Sequence, residues 1–232
     1  MKLRDFKGIF KSNIVTFDRA ENVSEDLYQV HLDIPIGLNW RPGEHALFTI
    51  KGKKFKGRKW HVFSVASVME ENQIIIGTKT GDNISPYKNA LIHLDKGDKI
   101  KVRGPFGWFV FEDEVKPAVM IALGVGITPI RALLMSAREN DKPIDVIYSA
   151  SGAYLFKEDL DTVAKENRNI NIHYLDNQLE TSNAILKNAK LHRNEARYFI
   201  SGSTKAIKSI KKLLKQEGIK SKNIVHDPFF GY

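Results

Sequence analysis

The stretch Ala118-Val-Met-Ile-Ala-Leu-Gly-Val-Gly-Ile-Thr-Pro129 decides how the chain is read. An apolar strand runs into a tight Gly-x-Gly turn, with Thr128 placed as N-cap of the next helix and Pro129 at its first helical position. A helix N-terminus then faces the carboxyl end of the strand. Its free N–H groups and the positive end of its dipole suit a phosphate or a polarised carbonyl, and the missing side chains at Gly124 and Gly126 open the backbone to a ligand. An ordinary βα turn has the same outline. Pro129 also stands where the usual dinucleotide fingerprint has its third glycine, so the motif needs support from its surroundings.

Toward the C-terminus, strands are expected at Ala118–Leu123, Ile144–Ser149, Ile170–Leu175, Tyr198–Ser201 and Asn223–His226, with room for helices between them. The clearest helix is Thr204–Gln216, where Ile207, Ile210, Leu213 and Leu214 share one face and lysines cover the other. Alternating strands and helices predict a Rossmann-like parallel sheet that binds ligands beyond the carboxyl ends of its strands. Toward the N-terminus the rhythm changes at the acidic segment Phe111-Glu-Asp-Glu-Val-Lys-Pro117. Before it lie β-branched and aromatic runs at Ile9–Asp18, Leu27–Ile34, Ala46–Lys51, Trp60–Val68, Gln73–Thr80 and Lys99–Arg103, broken by Gly, Pro and Asn. Ser85–Leu91 reads as one short helix, capped by Ser85 with Pro86 at its first position. The expected architecture is an N-terminal six-stranded antiparallel β-barrel over residues 1–112 and a C-terminal parallel-sheet α/β domain over residues 117–232.

The 232 residues carry 36 Lys+Arg against 27 Asp+Glu, a formal charge of +9, and no cysteine. Without a thiol the chain holds no iron–sulfur cluster, cysteine zinc site or thiol nucleophile, so redox chemistry would need an organic cofactor. His31, His45, His61, His93, His173, His192 and His226 show no metal-ligand spacing, and no metal is expected. The N-terminal MKLRDFKGIFKSNIV has no uninterrupted apolar stretch, and no window approaches the ~20 apolar residues of a membrane span, which places the chain in the cytoplasm. The basic balance suits an acidic protein, nucleic acid or an anionic ligand and does not choose among them.

Two further motifs lie in the barrel half. Arg58-Lys-Trp-His-Val-Phe-Ser-Val-Ala-Ser67 is a strand on which His61, Phe63 and Val65 share a face; its backbone amides could lie along a planar ligand while Ser64 donates a hydrogen bond. Thr78-Lys-Thr-Gly-Asp-Asn-Ile-Ser-Pro86 offers a glycine turn and then a hydroxyl at a helix start, where Ser85 and the first-turn amides could hold a second phosphate. A half-buried strand and an ordinary capped helix account for each taken singly.

Their order along the chain carries more than each alone. An aromatic–Ser strand, Gly-x-x-x-Ser opening a helix, Gly104-Pro-Phe-Gly-Trp-Phe109, Gly-Val-Gly-Ile-Thr-Pro, then Ile200-Ser-Gly-Ser203 after a later strand resembles the ferredoxin–NADP reductase superfamily over nearly the whole chain. The resemblance implies a barrel that holds FAD, an α/β domain that holds NADH or NADPH, and hydride transfer from the nicotinamide to the flavin. It places FAD at His61, Val62, Phe63, Ser64, Thr78, Lys79, Thr80, Ile84, Ser85 and the terminal Tyr232, with Ser64 at the flavin N5 edge and Phe63 against its ring. It places the nicotinamide nucleotide at Gly124, Gly126, Ile127, Thr128, Pro129, Ser149, Ser201, Gly202 and Ser203, with Ser64, Thr128 and Ser201 catalytic. His61 stands where the family has arginine, and a titratable imidazole there implies flavin affinity that falls with rising pH. Ser201 stands where the family has cysteine. With no iron–sulfur domain attached, the electron acceptor would be separate: a ferredoxin or flavodoxin, a quinone, a ferric chelate or free flavin. The loop Lys51–Lys59 is the candidate patch for an acidic redox partner. The alternatives are an electron-transfer or regulatory subunit of a larger complex, and a basic RNA-binding barrel, which does not explain the order of the turns.

Overall fold

A computed structural model of the chain describes residues 3–81, 83–111, 116–139 and 141–227, with the side chains of residues 3, 4 and 7 left aside. It contains two compact units, one running to Val110 and the other starting at Phe111.

The first unit is an antiparallel sheet of β1 (Ser12–Ser24), β2 (Leu27–Asp33), β3 (His45–Ile50), β4 (Trp60–Ser64), β5 (Gln73–Lys79) and β6 (Lys99–Phe106), in the order β4-β3-β6-β1-β2-β5. Alternate residues of every strand point inward: Val15, Phe17, Val30, Leu32, Phe48, Ile50, Ile74, Ile76, Ile100 and Val102 form one core. The sheet curls until its edges meet. Val65 N–H still donates to Glu44 O at 2.9 Å, just before β3, but Ala66 N–H donates to Ile75 O at 2.8 Å while Ser67 Oγ accepts from Ile75 N–H at 3.0 Å. That crossing is why the expected strand Trp60–Val68 ends at Ser64. The helix α1 (Pro86–Ile92) is capped as expected, with Ser85 Oγ accepting from Lys88 N–H at 3.2 Å.

Both ends of β1 also differ from the sequence reading, and β6 runs on to Phe106 past the expected Arg103. Ile9 and Phe10 belong to a 3-10 segment, Leu3–Phe10, not to the first strand. Gly8 is what lets this segment sit on β6, since a Cβ there would lie 1.8 Å from Pro105 O. β1 then continues to Ser24, well past Asp18, because Arg19–Ser24 pairs with Leu27–His31 in a hairpin. That half of the strand is polar and exposed, so it carries no apolar alternation.

The second unit is a parallel sheet in the order β11-β10-β7-β8-β9, made of β7 (Ala118–Leu123), β8 (Ile144–Ser149), β9 (Ile170–Leu175), β10 (Arg197–Ser201) and β11 (Ile224–His226). The helices α2 (Ile127–Ser136) and α3 (Lys157–Glu166) pack together, as do α4 (Gln178–His192) and α5 (Thr204–Gln216). Right-handed crossovers put the first pair on one face of the sheet and the second on the other. Neighbouring strands β7 and β10 therefore send their chains to opposite faces, which makes the gap between their carboxyl ends the switch point of the sheet. No helix among the described residues is long and apolar enough to cross a membrane, and no cluster of His, Asp and Glu among them has the make-up of a metal site.

Candidate functional site

In the barrel unit, period-two alternation divides the β4 motif between two faces. His61 and Phe63 point to the core side and meet α1: His61 stacks on Tyr87 with ring centroids 5.6 Å apart, His61 and Phe63 are 4.6 Å apart, and Tyr87 Oη donates to Phe48 O at 3.0 Å. Val62 and Ser64 fall on the opposite face, with Ser64 the last residue of the strand, so the strand does not bring the Ser64 side chain beside Phe63. Phe63 is only 7% exposed and packs edge-on against Phe48, so it is part of the core as well as a candidate platform.

Burial, then the cations of Lys88 and Arg58, press the His61 imidazole down to about 4. It is therefore already neutral above about pH 6.5, and its titration gives no reason for flavin affinity to fall as pH rises from 7 to 9. Its linkage acts elsewhere. A group protonated at about 6.5 when unfolded but only near 4 when folded leaves stability level above pH 6.5 and erodes it as pH falls through that window. Buried His45 is also pressed to about 4 and adds to the same loss. Melting curves should be superimposable at pH 7 and 9 and should shift down from pH 6.5 to 4; His61→Gln should flatten part of that slope. An unchanged slope would leave His61 out of it.

Around the β5–α1 connection, most of the expected side chains are engaged within the protein. Thr80 Oγ1 donates to Asp26 O at 3.2 Å, Lys79 Nζ pairs with Asp26 at 3.2 Å, and Lys88 Nζ reaches Lys79 O at 2.8 Å. Ile84 and Ser85 are half-buried, and the Ser85 hydroxyl keeps its proton available while it caps α1. Thr78 stands out: it is 2% exposed and its Oγ1 has no hydrogen-bond partner among the described residues. A buried hydroxyl left over in this way costs about 1–3 kcal/mol unless something arrives to use it. Tyr232 lies outside the described residues.

At the switch point of the second unit, a 3-10 turn over Gly124–Gly126 joins β7 to α2. The helix begins at Ile127, and its N-cap is Gly126, not Thr128 as the sequence suggested. Thr128 is inside the first turn, 3% exposed, with Oγ1 donating back to Val125 O at 2.7 Å; Pro129 still falls in that turn, where no N–H is missed. The two glycines also have different reasons. Gly124 has φ +56° and open space where a Cβ would be, so the backbone there is approachable. At Gly126 a Cβ would lie 2.4 Å from Ser201 O and 2.7 Å from Gly202 N, so its emptiness is filled by the β10 turn and not by a ligand.

Ser201 is fully buried, and its Oγ donates to Asp227 Oδ2 at 3.3 Å. A hydroxyl committed to a buried carboxylate holds the β10 and β11 ends together. Ser203 caps α5, its Oγ accepting from Ala206 N–H at 3.3 Å. Beside it opens a cavity of ≈ 550 Å³ between α4 and α5, reached by Leu123, Ser149, Thr181, Ser203, Lys205 and Lys212, with no carboxylate in its lining. Thr181 donates to Asn177 O at 2.7 Å, so the 2.9 Å contact with Ser149 has Ser149 as donor.

Of the residues expected at the nucleotide side, the structure gathers Gly124, Gly126, Ile127, Thr128, Pro129, Ser201, Gly202 and Ser203 at one switch point, with Ser149 in the adjoining cavity. Thr181, Lys205, Lys212 and Asp227 were missed. The first signal was the Asn177 cap followed by hydroxyls in the opening turn of α4; the lysines had been taken as a solvated helix face.

No protein-family model matches the chain. It is 28% identical over 157 residues, 66% of its length, to a flavohemoprotein of Pseudomonas aeruginosa, of which it spans 39%. It is 36% identical over 110 residues, 44% of its length, to NADH-cytochrome b5 reductase 1 of Pyricularia oryzae, of which it spans 35%. The chain thus spans less than half of either relative. In structure it is similar to a ferredoxin-NADP+ reductase of Plasmodium falciparum, with TM-score 0.80, 17% identity and coverage of 94% and 96% of the two chains. The relatives are thus a flavohemoprotein and an NADH-cytochrome b5 reductase, and the order of barrel and parallel sheet is the two-domain fold of the ferredoxin-NADP+ reductase.

Proposed function

We propose that this chain, with that fold and those relatives, is an FAD-dependent NAD(P)H oxidoreductase that passes electrons to a separate acceptor. The observation that carries the reading is the switch point: a glycine turn into α2, the capped start of α5 beside it, and a cavity with lysines and hydroxyls but no carboxylate. Such a place suits the phosphates of a dinucleotide. Lys205 and Lys212 supply cations there, and the first-turn N–H groups of α5 supply donors.

Three features of the barrel support FAD there: the stranded hydroxyl of Thr78, next to Lys79, whose carbonyl Lys88 of α1 reaches, the Ser85 cap, and the His61–Tyr87 stack. When bound, FAD supplies the hydride-accepting chemistry that no side chain of this chain provides. The protein's part is to hold, orient and dry. Tyr87 and His61 offer an uncharged platform, since burial raises the Tyr87 phenol and lowers the His61 imidazole. The Ser85 hydroxyl can hold a phosphate oxygen, and Ser64, at the end of its strand, is assigned the hydrogen bond at N5. The acceptor's class is left to charge: Lys53 is neutralised by Asp95 and Asp98, which leaves Lys51, Lys54, Lys56, Arg58 and Lys59 as the loop cations that would meet an acidic redox protein.

The test is a visible spectrum. Protein reconstituted with FAD should be yellow and should bleach anaerobically on addition of NADH or NADPH; protein that takes up no FAD rejects the reading. Two variants sharpen it. Thr78→Val should leave the flavin-free protein as stable or more so, yet weaken FAD binding about five-fold, the worth of one hydrogen bond of ~1 kcal/mol. Equal FAD affinity removes Thr78 from the site. Lys205→Gln with Lys212→Gln should raise KM for the nucleotide about ten-fold or more with kcat held, because charge-assisted contacts to phosphates are uniform binding. A fall in kcat at constant KM would contradict that placement.

A further inference from the structure

Apart from Val62 and Ser64 on β4, the outward face of the barrel strands β4, β3, β6 and β1 is not used by this reading. Cross-strand register lays it out as a grid: one row is Trp60–Thr49–Lys101–Ile14, the next is Val62–Leu47–Arg103–Ser12, and Lys99–Thr16 begins a third. Trp60 is 38% exposed and Ile14 47%, and Phe10, just before the first residue of β1, is 90% exposed. Arg58 lies over the Trp60 ring at 4.3 Å, and Lys99 Nζ is hydrogen-bonded to Thr16 Oγ1 at 2.8 Å. No position of the grid is a carboxylate. Asp18, two residues beyond Thr16, and Asp98, next to Lys99, are already paired with Arg19, Lys96 and Lys53.

We infer that this face is a docking surface for an anionic phospholipid membrane. The arrangement of its charges excludes the commoner reading. A protein interface has an apolar centre within a polar rim, whereas here the inner columns hold Thr49, Lys101, Arg103 and a half-buried Leu47, and the exposed large apolar groups, Trp60, Ile14 and Phe10, stand at the margins. Cations spaced among separate apolar side chains match a bilayer surface, where ammonium and guanidinium groups meet the lipid phosphates while tryptophan, isoleucine and phenylalanine enter the acyl boundary. Each cation near an anionic leaflet is worth about a five-fold gain in partitioning, so Lys99, Lys101, Arg103 and Arg58 together give useful affinity without a spanning helix. The α5 face is basic too, with Lys205, Lys208, Lys211, Lys212 and Lys215, but the only large apolar side chains on that helix, Ile207, Ile210, Leu213 and Leu214, are turned inward in whole or part. It serves as the control.

Vesicles of phosphatidylcholine mixed with phosphatidylglycerol, compared with phosphatidylcholine alone, test the assignment. The protein should sediment with the anionic vesicles and be released by salt. Its tryptophan emission should shift to the blue and be quenched by brominated acyl chains, and Trp60→Phe should remove most of the shift while Trp108→Phe keeps it, because Trp40 is buried in the core and Trp108 is half-buried against Phe6. Lys101→Gln with Arg103→Gln should lower partitioning about thirty-fold, while Lys208→Gln with Lys211→Gln should change it no more than about two-fold. Unchanged melting temperatures show that the outward substitutions leave the barrel folded. Equal binding to neutral vesicles, no binding to anionic ones, or a loss confined to the α5 variant each overturns the inference. So does binding to polyglutamate but not to vesicles, which would assign the face to an acidic protein.

Discussion

Gly126→Ala should lose about 3 kcal/mol or more of stability in the α/β unit, a large part of the 5–15 kcal/mol by which a typical protein is folded. The new Cβ would stand 2.4 Å from Ser201 O, 2.5 Å from Ser201 C and 2.7 Å from Gly202 N. All three are backbone atoms, so no side chain can swing aside. Ser201 is the last residue of β10 in register with Ala122 of β7, and moving it strains the parallel ladder itself. Gly124→Ala makes the informative comparison. There a Cβ meets nothing within 4 Å, and the cost is that of holding alanine at φ +56°, about 1–2 kcal/mol. Thermal or urea unfolding of both variants ranks them: Gly126→Ala should be much the worse. If the two lose equal amounts, or Gly126→Ala melts within about 2 °C of the parent, the close contact between turns is not what requires glycine.

Phe63→Ala should cost about 3–5 kcal/mol with no flavin present, because Phe63 is 7% exposed and packs on Phe48, His61 and Tyr87. A residue that served only as a platform for a ring would leave the flavin-free barrel nearly unchanged when truncated. Phe63→Leu separates the two roles: it should keep most of the stability while losing the aromatic edge contacts, worth about 1 kcal/mol, that Phe63 makes with its neighbours. Chemical denaturation in the absence of FAD reads the first effect, and FAD titration of Phe63→Leu reads the second. A flavin-free Phe63→Ala protein as stable as the parent would remove Phe63 from the core.

Much of the α/β unit was legible because each of its signals is local. Ala118–Leu123 is a continuous apolar run, Ile144–Ser149 and Ile170–Leu175 are apolar runs interrupted by Asp145 and by Asn171 and His173, and the structure has strands over those same residues. The face of α5 was equally plain from Ile207, Ile210 and Leu214. In the barrel, Ser85-Pro86 announced its helix through cap chemistry that acts within a single turn. Less legible was anything set by a partner distant in sequence. The polar half of β1 is a strand only because β2 pairs with it, and β4 ends where it does only because β5 takes the Ala66 amide. No pattern within those segments records either event.

The candidate site divides along the same line. By itself the sequence determined that Gly124–Pro129 joins a strand end to a helix start, though it put the N-cap two residues late, and that Ser203 caps the next helix after β10, since backbone geometry and capping are set over a few residues. It also determined that His61 and Phe63 share one side of a strand and Ser64 the other. Tertiary structure alone decided what each group is free to do: that Gly126 accommodates Ser201, that the Ser201 hydroxyl is committed to Asp227, that Thr128 is a buried residue inside the turn, that His61 is too deeply buried to carry charge at neutral pH, and that Thr78 has a hydroxyl to spare. The reason is physical. Conformational preference is a property of a short piece of chain, whereas burial, hydrogen-bond satisfaction and pKa depend on which atoms occupy the surrounding few ångströms, and those atoms come from elements that only the fold brings together.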